Sequence, residues 1–261
     1  MATEFNVPWD VLRKRKPMIC TPMHDGRSDG RFQLACQNLL KRLLDAGISC
    51  SFHHGYGDGI ARVRNKQAAE FLRSDATDML FLDGDINFTA DDVLVLLASE
   101  KEMIAAPYAR KKFDWAAIKQ AVIDHPDINP LDLPAVGCTP VLGWLRNGEI
   151  RLDEIQPVKE IGTGFLLVRR VVFERMIEKY GDSMRYVPMP DEDQSPSYDF
   201  FAMGKNPEPP YNYLSEDYFF QQRWRALGGE LFVCPWMVTG HIGMQEFPCD
   251  LSVRGHYAGK V

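Results

Sequence analysis

Over the first hundred residues, short unbroken apolar runs alternate with stretches in which apolar positions recur every three or four residues. Pro17 to Thr21 (PMICT) predicts a short buried strand, closed by the proline- and glycine-containing loop Pro22 to Gly30. Apolar residues at 32, 35, 36, 39, 40, 43 and 44 then keep a helical period, and Gly47 is placed to end that helix. Ile48 to Phe52 predicts a second strand, followed by the loop HHGYGDG (53–59) and a second helix over roughly Ile60 to Arg73. Met79-Leu80-Phe81-Leu82 is the pattern of a strand buried on both faces. Thr89 caps the next helix, with Asp91 and Asp92 in its first turn where the helix dipole favours acids. Met103 to Ala106 predicts a fourth strand, and the alternation as a whole predicts an α/β domain with a mostly parallel central sheet.

The second half is less regular. A helix is predicted over 113–124, a proline-rich loop over 125–150, a strand from Ile161 to Val168 and an amphipathic helix over 170–180. Residues 181–213, rich in proline, aromatics and acids, predict a long loop. Glu216 to Leu227 reads as a helix ended by Gly228-Gly229, and Leu231 to Cys234 as the last strand. No internal repeat is present, and 261 residues suit one large domain.

Composition narrows the function classes. With 45% hydrophobic and 25% charged residues, the chain is neither a disordered protein nor a coiled coil. A net charge of −6 gives no global positive field to hold duplex nucleic acid, and the basic run Arg13 to Lys16 reads as a solvated lead-in to the first strand. The six cysteines (Cys20, Cys36, Cys50, Cys138, Cys234, Cys249) form no C-x-x-C pair, and several sit inside apolar runs as small buried hydrophobes of a reducing compartment. The opening residues carry acids where a signal peptide has bases, and no stretch approaches the roughly 20 apolar residues of a membrane span. A soluble cytoplasmic protein is expected.

The chemistry concentrates in Asp83-Gly84-Asp85, directly after the apolar strand. In open α/β sheets, ligands bind beyond the carboxyl ends of the strands. Two carboxylates one residue apart hold a hard divalent cation between them, or bind it through one acid and water through the other, and such a cation neutralises a departing diphosphate. Gly84 lets phosphates approach the backbone. A solvated acidic turn is the plain alternative. A phosphatase of the haloacid-dehalogenase type fits less well, since its first aspartate lies near the N-terminus and is followed by Thr or Val, whereas Ile86-Asn87-Phe88 follows here.

With its strand, RNKQAAEFLRSDATDMLFLDGDINFTADDVLVLL (64–97) resembles the donor-binding region of family-2-like glycosyltransferases of the GT-A fold. MIAAPYARKKFDW (103–115), IGTGFLLVRRVVFERM (161–176) and YLSEDYFFQQRWRALGGELFVCPWMVTGHIG (213–243) follow in the order of that group, which includes viral and bacterial enzymes. The resemblance implies one GT-A domain of two abutting Rossmann-like halves: donor half 17–110, acceptor half 111–243 and a tail 244–261. It implies transfer from a nucleotide sugar, a UDP-sugar first, with Mn2+ or Mg2+. Asp83 and Asp85 match the D-x-D site, and His241 matches a late histidine that completes the metal shell, a donor set that favours Mn2+. Glu216 and Asp217 match the acidic pair that supplies the general base of inverting members, usually the Asp. Ser215 as cap and acids in a first helical turn also account for that pair. Gly162, Thr163 and Gly164 match a backbone approach to donor sugar or acceptor, or else a plain strand glycine pair. On the donor side Thr21, Pro22 and His24 or Asp25 lie where nucleobase and ribose sit, and Arg62, Arg64 or Asn65 would face the diphosphate or ribose.

Two other classes remain in view. A nucleotidyltransferase acting on sugar phosphates shares the metal and the sheet, but PMHDGRSDGR lacks its G-x-G-T-R-L loop. A non-catalytic carbohydrate- or nucleotide-binding module is the third. The acceptor is open among a glycan, a protein side chain and a modified nucleic-acid base. Tyr186, Tyr198, Phe200, Phe201, Tyr211 and Tyr213 are either platforms for such an acceptor or a core that packs the long loop.

Overall fold

In the computed structural model, eight strands hydrogen-bond into one sheet: β1 (Pro17–Pro22), β2 (Ser51–Gly55), β3 (Asp78–Leu82), β4 (Met103–Ala105), β5 (Leu142–Trp144), β6 (Gln156–Ile161), β7 (Phe165–Arg169) and β8 (Leu231–Val233). Their spatial order is β2-β1-β3-β7-β4-β8-β6-β5. β7 and β6 run against the other strands, which all point one way, so the α/β sheet is mostly parallel. β7 inserts between β3 and β4, so the two halves of the chain share this sheet. The structure describes residues 8–23, 25–57, 59–145, 150–190, 192–243 and 246–258.

The apolar quartet of β3 explains the layering. Leu80 and Leu82 point into one core with Phe32, Leu39 and Leu43 of the helix Gly30–Asp45 and Val93 and Leu97 of the helix Ala90–Ala98. Met79 and Phe81 point into the other, with Phe71 of the helix Ile60–Arg73, Phe173 of Arg170–Met184 and Phe220 of Glu216–Ala226. Burying each such side chain contributes about 1.5–3 kcal/mol, so a strand used on both faces is fixed more firmly than one used on a single face. Local signals end the helices. Thr89 and Asp92 form a reciprocal capping box. Gly47 takes φ +73° after the first long helix, a conformation glycine adopts without strain.

Several boundaries differ from the sequence expectation. The second strand starts at Ser51 instead of Ile48, because its parallel register runs from Met18↔Ser51 to Pro22↔Gly55 and Ile48 is buried in the core below it. The expected strand 161–168 is two: β6 ends at Ile161, and a turn at 162–164 carries the chain to β7. The expected loop 125–150 contains the helix Leu133–Gly137 and the strands Cys138–Pro140 and Leu142–Trp144. The helix expected over 170–180 runs on to Met184, the described residues of 185–213 are loop apart from two-residue ladders, and Phe200 and Phe201 are core residues, 1% and 0% exposed, packed on Phe173 and Phe81. The short strands Ile86–Asn87, Thr239–Ile242 and Glu246–Cys249 carried no recognised pattern. All six cysteines are free, and among the described residues no helix is long and apolar enough to cross a membrane.

Candidate functional site

β3 ends at Leu82, and Asp83-Gly84-Asp85 leaves the sheet in a turn closed by Ile86 N–H on the Asp83 carbonyl at 3.0 Å. Ile86–Asn87 then pairs antiparallel with Thr239–Ile242, with His241 opposite Ile86, and Ile242 N–H donates to the Asp85 carbonyl at 2.7 Å. This small ladder brings His241 Nε2 to 3.4 Å from Asp85 Oδ1. His241 Nδ1 lies 2.7 Å from the Ala109 carbonyl, which only accepts, so Nδ1 carries the proton and Nε2 is the nitrogen offered to the cleft. Tyr108 holds the imidazole edge-on, with ring centroids 5.4 Å apart. Lys111 ion-pairs with the second oxygen of Asp85.

Arg64 enters from the helix Ile60–Arg73 and is buried. Its Nη1 donates to Glu216 Oε1 at 2.5 Å, and its Nη2 lies 3.6 Å from Asp83 Oδ1. Burial pushes the Asp83 carboxyl above the usual carboxylate range, with the charges of Asp85 and Asp217 adding to it and Arg64 and His241 opposing. Burial also acts to raise Asp85, but the neighbouring His241 and Lys111 outweigh it and hold that carboxyl below its ordinary value. Two neighbouring acids are thus pushed apart by their surroundings. Asp83 Oδ1 and Arg64 Nε are buried without a hydrogen-bond partner.

Pro22, Asp25, Arg64, Asp83, Asp85 and His241 line one cleft of about 460 Å³, together with Gly84, Ile60 and the loop of Arg27, Ser28 and Asp29. It opens at the carboxyl ends of β1 and β3. The other sequence-predicted residues lie outside this lining. Thr21 is buried within β1. Asn65 faces away from Arg64: its Nδ2 donates to Asp199 Oδ1 at 2.7 Å and its Oδ1 accepts from Phe201 N at 2.9 Å. Arg62 donates to Glu192 Oε1 at 2.6 Å. A side chain at Gly162 would overlap Tyr108 Oη, and one at Gly164 would stand 2.8 Å from Tyr108 Cζ, so both glycines make room for that tyrosine. Thr163 is buried between them. Gly84 lets the loop of Arg27 and Ser28 pack close, where a Cβ would be 3.2 Å from Ser28 Cβ. Glu216 is held by Arg64, whereas Asp217 Oδ1 accepts from Ser215 Oγ and from Tyr218 N–H. His24 lies outside the described residues.

Among the described residues no three His, Cys, Asp or Glu side chains converge as a metal-binding group. Asp85 and His241 form a pair, and Asp83 turns toward Arg64. The pair still suits a divalent cation. Mg2+ and similar ions use one or two carboxylates and complete their shell with water and phosphate oxygens. A histidine whose other nitrogen is fixed on a backbone carbonyl is the usual form of a metal-ligating imidazole. Lys111 and Tyr108 escaped the sequence reading. The signal for Lys111 is the run Ala109-Arg110-Lys111-Lys112 after β4, basic residues one strand away from the acids.

No protein-family model matches the sequence, and no curated protein matches it. Among solved structures, A197 from STIV is similar with a TM-score of 0.43 and 15% identity over 88% of this chain and 86% of that one. GalNAc-T7, solved with UDP, GalNAc and Mn2+, is similar with a TM-score of 0.41 and 10% identity over 88% of this chain and 44% of its own.

Proposed function

We propose that this chain is a metal-dependent glycosyltransferase of the GT-A type that moves a sugar from a nucleoside-diphosphate sugar, a UDP-sugar first, to an acceptor. The observation that carries the reading is the meeting of Asp83, Asp85, His241 and Arg64 in one cleft at the carboxyl ends of β1 and β3. Asp85 and His241 would hold Mn2+ or Mg2+, with Asp83 the other acid of the same turn. The cation supplies charge neutralisation at the departing diphosphate. Pro22 and Asp25 flank the nucleoside. Asp217 takes the proton of the acceptor hydroxyl, and transfer inverts the anomeric centre. A glycan, a protein side chain and a modified nucleic-acid base are the acceptor classes to screen.

Hydrolysis of UDP- and GDP-sugars with and without Mn2+, read by mass spectrometry, tests the proposal. Metal-dependent release of sugar that is lost in Asp85→Ala supports it. Binding of the nucleotide without turnover on any donor and acceptor marks a binding module instead. Turnover of a nucleoside triphosphate with a sugar phosphate marks a nucleotidyltransferase.

A further inference from the structure

The strand Ala109–Phe113 delivers two groups to Asp85. The Ala109 carbonyl fixes His241, whose Nε2 stands 3.4 Å from Asp85 Oδ1, and Lys111, two residues on, pairs with Oδ2. Both oxygens of the carboxylate that would receive the cation already face protein groups.

The two cationic side chains at these acids differ in kind. Arg64 is 5% exposed at its side chain and locked on Glu216. The side chains of Lys111 and Asp85 are 35% and 38% exposed. Ion pairs at that exposure are weak and exchange readily. A lysine ammonium is also a compact charge on a flexible four-carbon stem, able to follow a moving partner. A dication seated on Asp85 frees the Lys111 charge, and a nucleoside diphosphate gains negative charge as its sugar leaves. The freed ammonium then has an anion beside it.

We infer that Lys111 is a tethered counter-cation: it neutralises Asp85 until metal and diphosphate arrive together, then yields the carboxylate and becomes a ligand of the diphosphate. The inference rests on the glycosyltransferase reading and adds to it a residue and an order of binding. Metal alone must displace Lys111 without giving it a new partner, so metal and diphosphate bind weakly apart and tightly together.

Mn2+ binding to the full chain, followed by electron paramagnetic resonance with and without UDP or GDP, tests this in the absence of turnover. Lys111→Met keeps the stem and removes the charge. It should bind Mn2+ alone about fivefold more tightly, the upper range for loss of an exposed competing pair. At saturating Mn2+ it should bind the nucleotide about tenfold more weakly, as loss of a charge-assisted bond requires. Lys111→Arg should restore most of the nucleotide affinity, and a thermal melt checks that each variant is folded. Parent-like Mn2+ and nucleotide affinities in Lys111→Met overturn the role of Lys111 while leaving the glycosyltransferase reading in place. A parent protein that binds neither nucleotide at any Mn2+ concentration overturns both.

Discussion

Arg64 Nη1 donates to Glu216 Oε1 at 2.5 Å across 152 residues of sequence, and the same guanidinium stands 3.6 Å from Asp83. Asp83 and the helix that starts with Glu216 are thus joined through one buried cation. Breaking a buried pair by removing one partner costs about 3–5 kcal/mol, because the other charge stays desolvated. Arg64→Met should therefore lose about 3 kcal/mol in urea denaturation. The double variant Arg64→Met/Glu216→Gln should lose less than the sum of the two single ones. Additive costs would show that the two groups are not energetically coupled.

His241→Ala removes the imidazole that faces Asp85 and its bond to the Ala109 carbonyl. The bond is worth about 1 kcal/mol, so the melting temperature should fall only slightly. Mn2+-dependent nucleotide binding, measured by calorimetry, should weaken by about tenfold or more, the effect of losing a ligand fixed by a second shell. A large loss of stability with unchanged nucleotide affinity would make His241 structural.

Gly162 and Gly164 offer a test of packing. Gly162→Ala forces its methyl group into Tyr108, and overpacking of this kind costs about 1–3 kcal/mol. Gly30→Ala is the control: nothing lies within 4 Å of its Cβ, and the residue opens a helix, so it should be neutral or slightly stabilising. Equal melting temperatures for the two variants would exclude the steric account.

Much of the frame was legible because its signals are local. β3, the helix Ile60–Arg73 and the cap at Thr89 each announce themselves within a dozen residues. Asp83-Gly84-Asp85 was legible for the same reason. The ladder that seats His241 was not, since Ile86–Asn87 is two residues long and its partner strand lies more than 150 residues on. The Arg64–Glu216 contact was hidden by the same distance, although both residues were singled out separately. Asn65 shows the limit of motif reading: one helical position beyond Arg64, it is turned about 100° around the axis and holds the loop at Asp199 and Phe201. Phe200 and Phe201 carry the same lesson, for composition marks an aromatic-rich loop but not which rings fold back into the core.

Glu192 ties the long loop to the helix Ile60–Arg73 through Lys66 at 2.7 Å and Arg62 at 2.6 Å. Lys66, the Met189 backbone N–H and Arg62 together hold its carboxyl at about 2. A carboxyl depressed in the folded state stabilises above its unfolded value of 4.5 and loses that contribution as pH falls through 4.5 toward 2. Amide exchange of Met189 and of 192–195, corrected for intrinsic rates, should rise across that window while the central sheet stays protected. In Lys66→Ala the Glu192 midpoint, read by carboxyl NMR, should move up toward its ordinary value. A midpoint unmoved by Lys66→Ala would leave the depression without its first cause.

The two acids that open the helix Glu216–Ala226 have different partners. Glu216 is committed to Arg64, so its carboxylate already has a partner. Asp217 is half-buried and bonded to Ser215 Oγ and to Tyr218 N–H at 2.8 Å, and its charge reaches Asp83. Those bonds all fall on Oδ1, which leaves Oδ2 to accept a proton. Ser215 makes no side-chain capping bond of its own, and an asparagine that presents its oxygen to the same two donors keeps both bonds and lacks only the basic oxygen. A base that acts only in the transition state leaves donor binding intact when it is removed. Asp217→Asn should thus bind metal and nucleotide like the parent and lose about 10²–10⁴-fold in turnover. Glu216→Gln should do the opposite in kind: by loosening Arg64 it should lower stability and donor affinity, with a smaller effect on the chemical step. Normal turnover in Asp217→Asn beside a dead Glu216→Gln would exchange the roles. Retained anomeric configuration in the product would remove the need for a base at this position.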